Sequence, residues 1–403
     1  MNPSTERLHP SLRPRPRVGF LVYDLKPFIA DYLARIAVRL PGQVRAYPIL
    51  SGPVAADLPY SHRPSCVQGR FFSVSKRGFT PEGFLSTINW RGAWACAWEN
   101  DVILLSGIQG GSALAVTLFA TLLGRAVISV NQTLPPTWEK RRRWWIRLLK
   151  GWILRRCRVH IVQTPTTRKT LTQIYHIAES QMVDAPFEAG ATAFQAHLSQ
   201  LPHDRPALRR EWGWHPEECV FLFVGTLLRF KGVFTLIDAA AILQQRGHRF
   251  RVLCIGDRAA QPDEWSLPAY RQRVADDGLS AVISFPGPRP LTELVSLYLA
   301  ADALLLPTQK DCFPKVLVEA ALAGLPLVTT DACGAADALV CEGETGLVIP
   351  PDDVPALVAA MERLLDPDLR QRMGLRAQQR CQAFCDPEQE TEGFLRAIHL
   401  AAS

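Results

Sequence analysis

Two doubly wound α/β domains, each built on a parallel sheet, are what this 403-residue chain predicts. Three observations carry that expectation. Short apolar runs alternate with helix-period segments through both halves, the rhythm of βαβ units. The alternation lapses over residues 186 to 217, where Pro202, Pro206 and Pro216 interrupt it. The charge divides at the same place. Residues 1–200 hold 25 Lys and Arg against 11 Asp and Glu, a net +14, whereas residues 201–403 hold 20 against 27, a net −7.

The first 16 residues are polar and proline-rich, without the apolar core of a signal peptide, and read as a disordered tail. A first domain is expected over 17–200. In it Arg17 to Val22 reads as a strand, Phe28 to Leu40 as a helix, and Val44 to Ile49 as a strand. Residues 51 to 100 are rich in Pro, Gly and aromatics and read as irregular. The run DVILL from Asp101 is a buried strand, Ser112 to Leu123 a helix, and Ala126 to Val130 and Val159 to Gln163 are strands. Residues 201–216 form the linker.

The second domain, 217–380, has clearer strands at Val220 to Val224, Arg251 to Ile255, Val282 to Phe285, Ala303 to Leu306, Leu327 to Thr330 and Leu347 to Ile349. Helices at Leu357 to Leu365 and Leu369 to Phe384 flank a DPD triplet at 366–368. A triplet between two helices suits turn and capping chemistry better than metal ligation, so no metal and no cofactor are expected. Residues 381–403 are expected to form a last helix that packs back on the first domain.

An apolar share of 48% and a charged share of 21% suit a soluble globular protein. The ten cysteines include no CxxC pair, and the nearest two, Cys381 and Cys385, read as incidental; reduced thiols of a cytosolic protein are the simplest account. The longest apolar stretch, Ser112 to Leu123, is too short to span a bilayer, so membrane association would be peripheral. The acidic second half and the lack of a recognisable module argue against nucleic acid.

Two segments carry chemistry. In DCFPKVLVE, Asp311 and Glu319 flank a strand-to-helix turn, and a helix N-terminus with its free N–H groups is a ready anion site. Ionised carboxylates accept strong hydrogen bonds from hydroxyls. Diphosphate in the middle and hydroxyls on both sides describe a nucleotide sugar; the plainer alternative is an Asp cap and an exposed helix Glu. In CVFLFVGTLLRFKG, from Cys219 to Gly232, a strand runs into a Gly-bounded loop that bears Arg229 and Lys231. That loop lies at the carboxyl end of its strand, where open parallel sheets bind ligands.

These segments, together with AGLPLVTTD (323–331) and ETGLVIPPDD (344–353), resemble the GT4-type retaining glycosyltransferases over residues 217 to 380. The resemblance implies a GT-B fold, two Rossmann-like domains facing across a cleft, with the donor mainly in the second and the acceptor mainly in the first. It implies that Lys231 stabilises the departing diphosphate and that Glu319 binds ribose hydroxyls. Asp311 takes the place of the family's first glutamate, on the transferred sugar. Gly225, Thr226, Cys312, Phe313, Pro314, Lys315 and Val316 would complete the donor site. The chain departs from the family at several points. Thr226 stands where an arginine is usual, and Arg229 is expected to supply that cation. Cys312 replaces a usual glycine and Asn131 a frequent histidine, and Tyr23 to Pro27 (YDLKP) replaces a Gly-Gly pair. On the acceptor side Asn131, Gly110 and Gly111 are candidates, the two glycines from GIQGGS. His160 reads as structural.

Trp138 to Arg158 reads as one helix. Trp138, Trp145, Leu149 and Trp152 share a face, beside a basic stripe of Lys140, Arg143, Arg147 and Lys150. Indoles and cations beside an apolar face suit an anionic membrane surface, with Trp138, Arg142, Arg143, Trp145 and Trp152 as contacts. A crossover helix with buried tryptophans and a solvated basic face is the alternative.

The expectation is a metal-independent retaining glycosyltransferase that moves a sugar from a nucleoside-diphosphate donor to a glycan or lipid-linked acceptor. Its place would be the inner face of the plasma membrane, in cell-surface polysaccharide or glycolipid synthesis. A GT-B sugar-nucleotide epimerase, or a non-catalytic membrane-surface subunit that binds nucleotide sugars, is the alternative.

Overall fold

The computed structural model describes residues 16–22, 27–48, 88–107, 111–131, 133–141, 143–201, 204–257 and 267–403. The first half runs β1 (Val18–Val22), α1 (Pro27–Arg39), β2 (Val44–Pro48), α2 (Trp90–Glu99), β3 (Val102–Ser106) and α3 (Gly111–Leu122). It continues with β4 (Ala126–Asn131), α4 (Pro136–Glu139), α5 (Trp144–Leu154), β5 (Val159–Val162), α6 (Pro165–Tyr175) and β6 (Met182–Asp184). The six strands pair in parallel in the order β2-β1-β3-β4-β5-β6. Their apolar runs are buried because helices cover both faces, as parallel sheets require.

After α7 (Ala191–Leu198) and α8 (Arg205–Glu211), the second half runs β7 (Cys219–Val224), α9 (Val233–Gln245), β8 (Phe250–Ile255), α10 (Leu267–Asp276) and β9 (Ile283–Gly287). Then come α11 (Leu291–Ala300), β10 (Ala303–Leu306), α12 (Lys315–Leu322), β11 (Leu327–Thr330), α13 (Ala336–Leu339) and β12 (Gly346–Ile349). The chain closes with α14 (Val354–Arg363), α15 (Pro367–Phe384) and α16 (Pro387–Ala402). This second parallel sheet has the order β12-β11-β10-β7-β8-β9, which reverses between β7 and β10. Such a reversal opens a crevice beyond the strand ends.

The last helix, α16, leaves the second domain and lies on the first sheet beside α1. Phe394 stacks on Tyr32 with ring centroids 5.2 Å apart, and an Arg158 guanidinium N–H donates to the Ala401 carbonyl at 2.9 Å. Asp366 of the DPD triplet caps α15, its carboxylate accepting from the Asp368 and Leu369 amides at 2.9 and 3.3 Å.

Four readings change. Trp138 to Arg158 is two helices, α4 and α5. A continuous helix would hold Glu139 and Lys150 about 16 Å apart along its axis. The break lets them meet at 2.9 Å in a buried pair, which Tyr175 joins through its hydroxyl at 2.6 Å. Residues 90–99, expected to be irregular, form α2, which the Asn89 side chain caps through the Gly92 amide at 2.8 Å. The stretch that lacks periodicity before β7 contains α7 and α8, too short to show an amphipathic pattern. Cys381 and Cys385 are buried, one turn apart on α15, with sulfurs 3.9 Å apart. Residues 1–15 of the tail expected over 1–16, residues 51–87 of the stretch expected to be irregular, Tyr23 to Lys26, Gly110 and Arg142 lie outside the described residues.

Candidate active site

The loop after β7 and the loop after β10 meet where the second sheet reverses. Gly225 follows β7, Thr226 is exposed, and Arg229 to Lys231 form a single 3₁₀ turn that Gly232 closes. Gly232 has φ +78°, and a Cβ there would lie 1.9 Å from the Pro307 carbonyl oxygen, so only glycine lets the two loops approach. They are then stitched together. The Phe230 carbonyl accepts from the Gln309 amide at 2.6 Å and from the Thr308 hydroxyl at 3.0 Å. Gln309 in turn donates its side-chain amide to Asp352 at 2.8 and 3.0 Å.

This packing brings Lys231 and Asp311, 80 residues apart, into a direct ion pair, with both side chains mostly shielded. Asp311 is itself fixed by its backbone, its carbonyl accepting from the Gly334 amide at 2.8 Å. Beyond it α12 begins at Lys315. Pro314 stands at the cap position and no side chain caps the helix, so its first-turn amides have no competing cap for an anion. Glu319 lies one turn further on. The buried Tyr298 hydroxyl donates to its Oε2 at 2.9 Å. Burial raises the Glu319 pKa above the ordinary carboxyl range, against the pull of Lys315 and of the Tyr298 hydroxyl.

Cys312, Lys315 and Val316 are half-buried beside this turn, and Pro314 is buried. Phe313 points elsewhere: its ring meets Phe187 edge-on at 4.9 Å and stacks near Phe384 at 6.4 Å, where the chain crosses between domains. Arg229, in the same 3₁₀ turn as Lys231, is exposed.

The first domain reaches the same place through the loop after β4. A Cβ on Gly334 would lie 2.4 Å from both the Cys312 and the Thr133 carbonyl oxygens, so the two domains touch beside Asp311. Asn131 is buried at the end of β4. It donates to the Ser129 hydroxyl at 2.6 Å, which contacts His160 Nδ1 at 2.7 Å. Burial lowers the His160 pKa to about 4, so this chain of polar groups is neutral and internal. Gly111 is buried at the start of α3.

Three further residues belong to the cleft and carried no signal in the sequence. Thr133 is buried with its hydroxyl unpartnered. Tyr298 orients Glu319. Asp31 on α1 has a raised pKa, first through burial and then through Glu188, with Arg35 and Lys315 opposing. An α1 carboxylate is therefore within electrostatic reach of the α12 N-terminus. Among the described residues, no group of three or more His, Cys, Asp and Glu side chains is arranged to hold a metal ion.

The aromatic segment divides in the same concrete way. Trp138, Trp145 and Trp152 are half-buried, whereas Arg143 is exposed. Lys150 is inside, against Glu139.

Residues 204–380 match the family model for glycosyl transferases group 1. A D-inositol 3-phosphate glycosyltransferase of Corynebacterium aurimucosum is 30% identical over 262 residues, covering 64% of this chain and 60% of that protein. An alpha-D-kanosaminyltransferase of Streptomyces kanamyceticus is 33% identical over 215 residues, 52% of this chain and 49% of that protein. Each match spans less than two thirds of the relative's length. In fold, the chain superposes on Anabaena HepE, crystallised with UDP and glucose, with a TM-score of 0.73 at 19% identity over 96% of this chain and 100% of that one. The fold is GT-B.

Proposed function

We propose, from the match of residues 204–380 to the model for glycosyl transferases group 1, that the protein is a metal-independent retaining glycosyltransferase. It moves a sugar from a nucleoside-diphosphate donor to a glycan or lipid-linked acceptor. The observation that carries this reading is the meeting of Lys231 and Asp311 beside the uncapped N-terminus of α12. A diphosphate on those amides draws Lys231 to itself, and Arg229 supplies a second cation nearby. Asp311, released from its ion pair, accepts hydrogen bonds from the sugar hydroxyls, while Glu319, aimed by Tyr298, accepts those of the ribose.

The transfer follows from this placement. The bond between the sugar's anomeric carbon and the diphosphate oxygen breaks as cations and helix amides stabilise the departing charge. The acceptor oxygen bonds to the same face, and its proton passes to the leaving oxygen. No enzymic nucleophile is required, which suits a cleft in which Asn131 replaces the frequent histidine. The cell-surface role and the cytosolic, inner-membrane location rest on the basic first half. The phosphorylated cyclitol in the Corynebacterium relative's name belongs in any acceptor panel.

Asp31 favours one second reading, a sugar-nucleotide epimerase, because its carboxyl group lies within electrostatic reach of Lys315 at the α12 N-terminus. Thermal shift across UDP-, GDP- and ADP-sugars selects the donor, since a ligand at 100 times its Kd stabilises by about 2.7 kcal/mol. Proton NMR of the products then separates the readings. Transfer gives a free nucleoside diphosphate and a product with the donor's anomeric configuration. An altered sugar nucleotide without acceptor would establish the epimerase instead.

A further inference from the structure

The large apolar side chains that the structure exposes gather on one face of the first domain. Of eleven such residues among those described, seven lie on α2, α3 and α5, with relative exposures from 39% at Leu118 to 70% at Leu122. These helices form a single layer on one face of the first sheet, α3 packing on α2 and touching α5. Trp90, Trp94 and Trp98 recur every fourth residue along α2 and all point outward. Trp94 stacks on Trp98 at 5.9 Å and meets Phe119 of α3 edge-on at 5.2 Å, so the indoles form one continuous apolar platform. Leu118 and Leu122 extend it along α3, and Trp144 and Leu148 along α5.

Among the described residues the charge around this platform is mainly positive; Glu99, the last residue of α2, is paired with Arg45 at 3.0 Å. α3 carries no ionisable residue, and residues 136–178 hold a single acidic one, Glu139, which is buried against Lys150. Arg91, Lys140, Arg141, Arg143, Arg155 and Arg156 are all exposed. Guanidinium groups of Arg141 and Arg156 lie over the Trp138 and Trp152 rings at 4.2 and 4.0 Å. Exposed indoles flanked by cations match a bilayer interface with anionic headgroups, where indole sits at headgroup depth and cations meet phosphate.

We infer that the α2–α3–α5 face, led by Trp90, Trp94 and Trp98, docks the protein on an anionic phospholipid surface. The contact expected on the face of Trp138, Trp145 and Trp152 moves to the outward indoles, because those three are half-buried. This deepens the proposed function by naming the surface that delivers the acceptor, and its test involves no turnover, so the two ideas fail separately.

The test is sedimentation of the whole protein with phosphatidylglycerol and with phosphatidylcholine vesicles, at low and high salt. Binding is expected to phosphatidylglycerol only, falling at least tenfold as salt screens the cations. Replacing all three α2 tryptophans with Ser should cut partitioning at least tenfold, with an unchanged melting temperature and unchanged donor hydrolysis. Brominated lipid should quench wild-type tryptophan fluorescence, a readout that needs no variant. Unchanged partitioning of the triple variant, absence of quenching, or equal binding to both vesicles would overturn the inference. So would light scattering showing a dimer that Trp94→Ser and Trp98→Ser dissolve, because the platform would then face a second copy.

Discussion

Glu390 is nearly fully buried on α16, where it pairs with Arg35 and accepts the Glu188 amide at 3.4 Å. Burial pushes its pKa up to about 8; Arg35 opposes that shift and Glu188 adds to it. Because the folded value lies above the ordinary 4.5, the folded protein holds this proton more tightly than the unfolded chain does. The resulting stability is fully present below pH 4.5 and is lost as pH rises through about 8. Urea titrations of wild type and Glu390→Gln between pH 5 and 8 check this. Wild type should lose stability relative to the variant by up to about 1.4 kcal/mol per pH unit, whereas parallel profiles would refute it. Residue positions were legible where local spacing fixes geometry. Lys231, Asp311 and Glu319 each sit in or beside a strand-to-helix turn whose residues announce it. Asp31, Thr133 and Tyr298 were silent, because each reaches the cleft only through tertiary packing.

The two loops of the candidate site form one element in practice, and Gly232 is the point where they touch. Gly232→Ala must place a Cβ against the Pro307 carbonyl and hold φ at +78°. Strain and clash together should cost about 2 kcal/mol or more. A melting curve should show the loss, and donor affinity should fall with it, since the loop that carries Lys231 must retreat. A variant as stable as wild type would mean that the loops do not pack this closely. Long, strongly patterned elements such as β3, β4 and α1 could be read directly from apolar periodicity. The α4–α5 break could not, because the cause is an ion pair between Glu139 and Lys150 that a helical wheel places on separate turns. α2 was hidden by its own composition: three outward tryptophans obscure the core-facing Ala93, Cys96 and Ala97.

At the scale of the whole molecule, the architecture follows from two six-stranded sheets and a final helix that crosses back to the first. Strand–helix alternation and the charge divide announced the two domains. Their approach at Gly334 and Thr133 depends on close backbone packing that no sequence pattern encodes. The domains also meet through Lys169 and Asp337, 3.2 Å apart. The Lys231–Asp311 site thus lies in a cleft whose opposite wall belongs to the more basic half, which suits the proposed acceptor on an anionic surface. The central claim is that this cleft cleaves a nucleoside-diphosphate sugar at the site of Lys231. The direct measurement is nucleoside-diphosphate release by wild type and Lys231→Ala from the donor that stabilises the protein most. Wild type should turn over, and the variant should fall by about 10²- to 10³-fold, the scale for losing one charge-stabilising group. Its stability should drop by about 1–3 kcal/mol, since Asp311 is left mostly shielded and without its ion-pair partner. No release from any donor, or a Lys231→Ala protein as fast as wild type, would contradict the account.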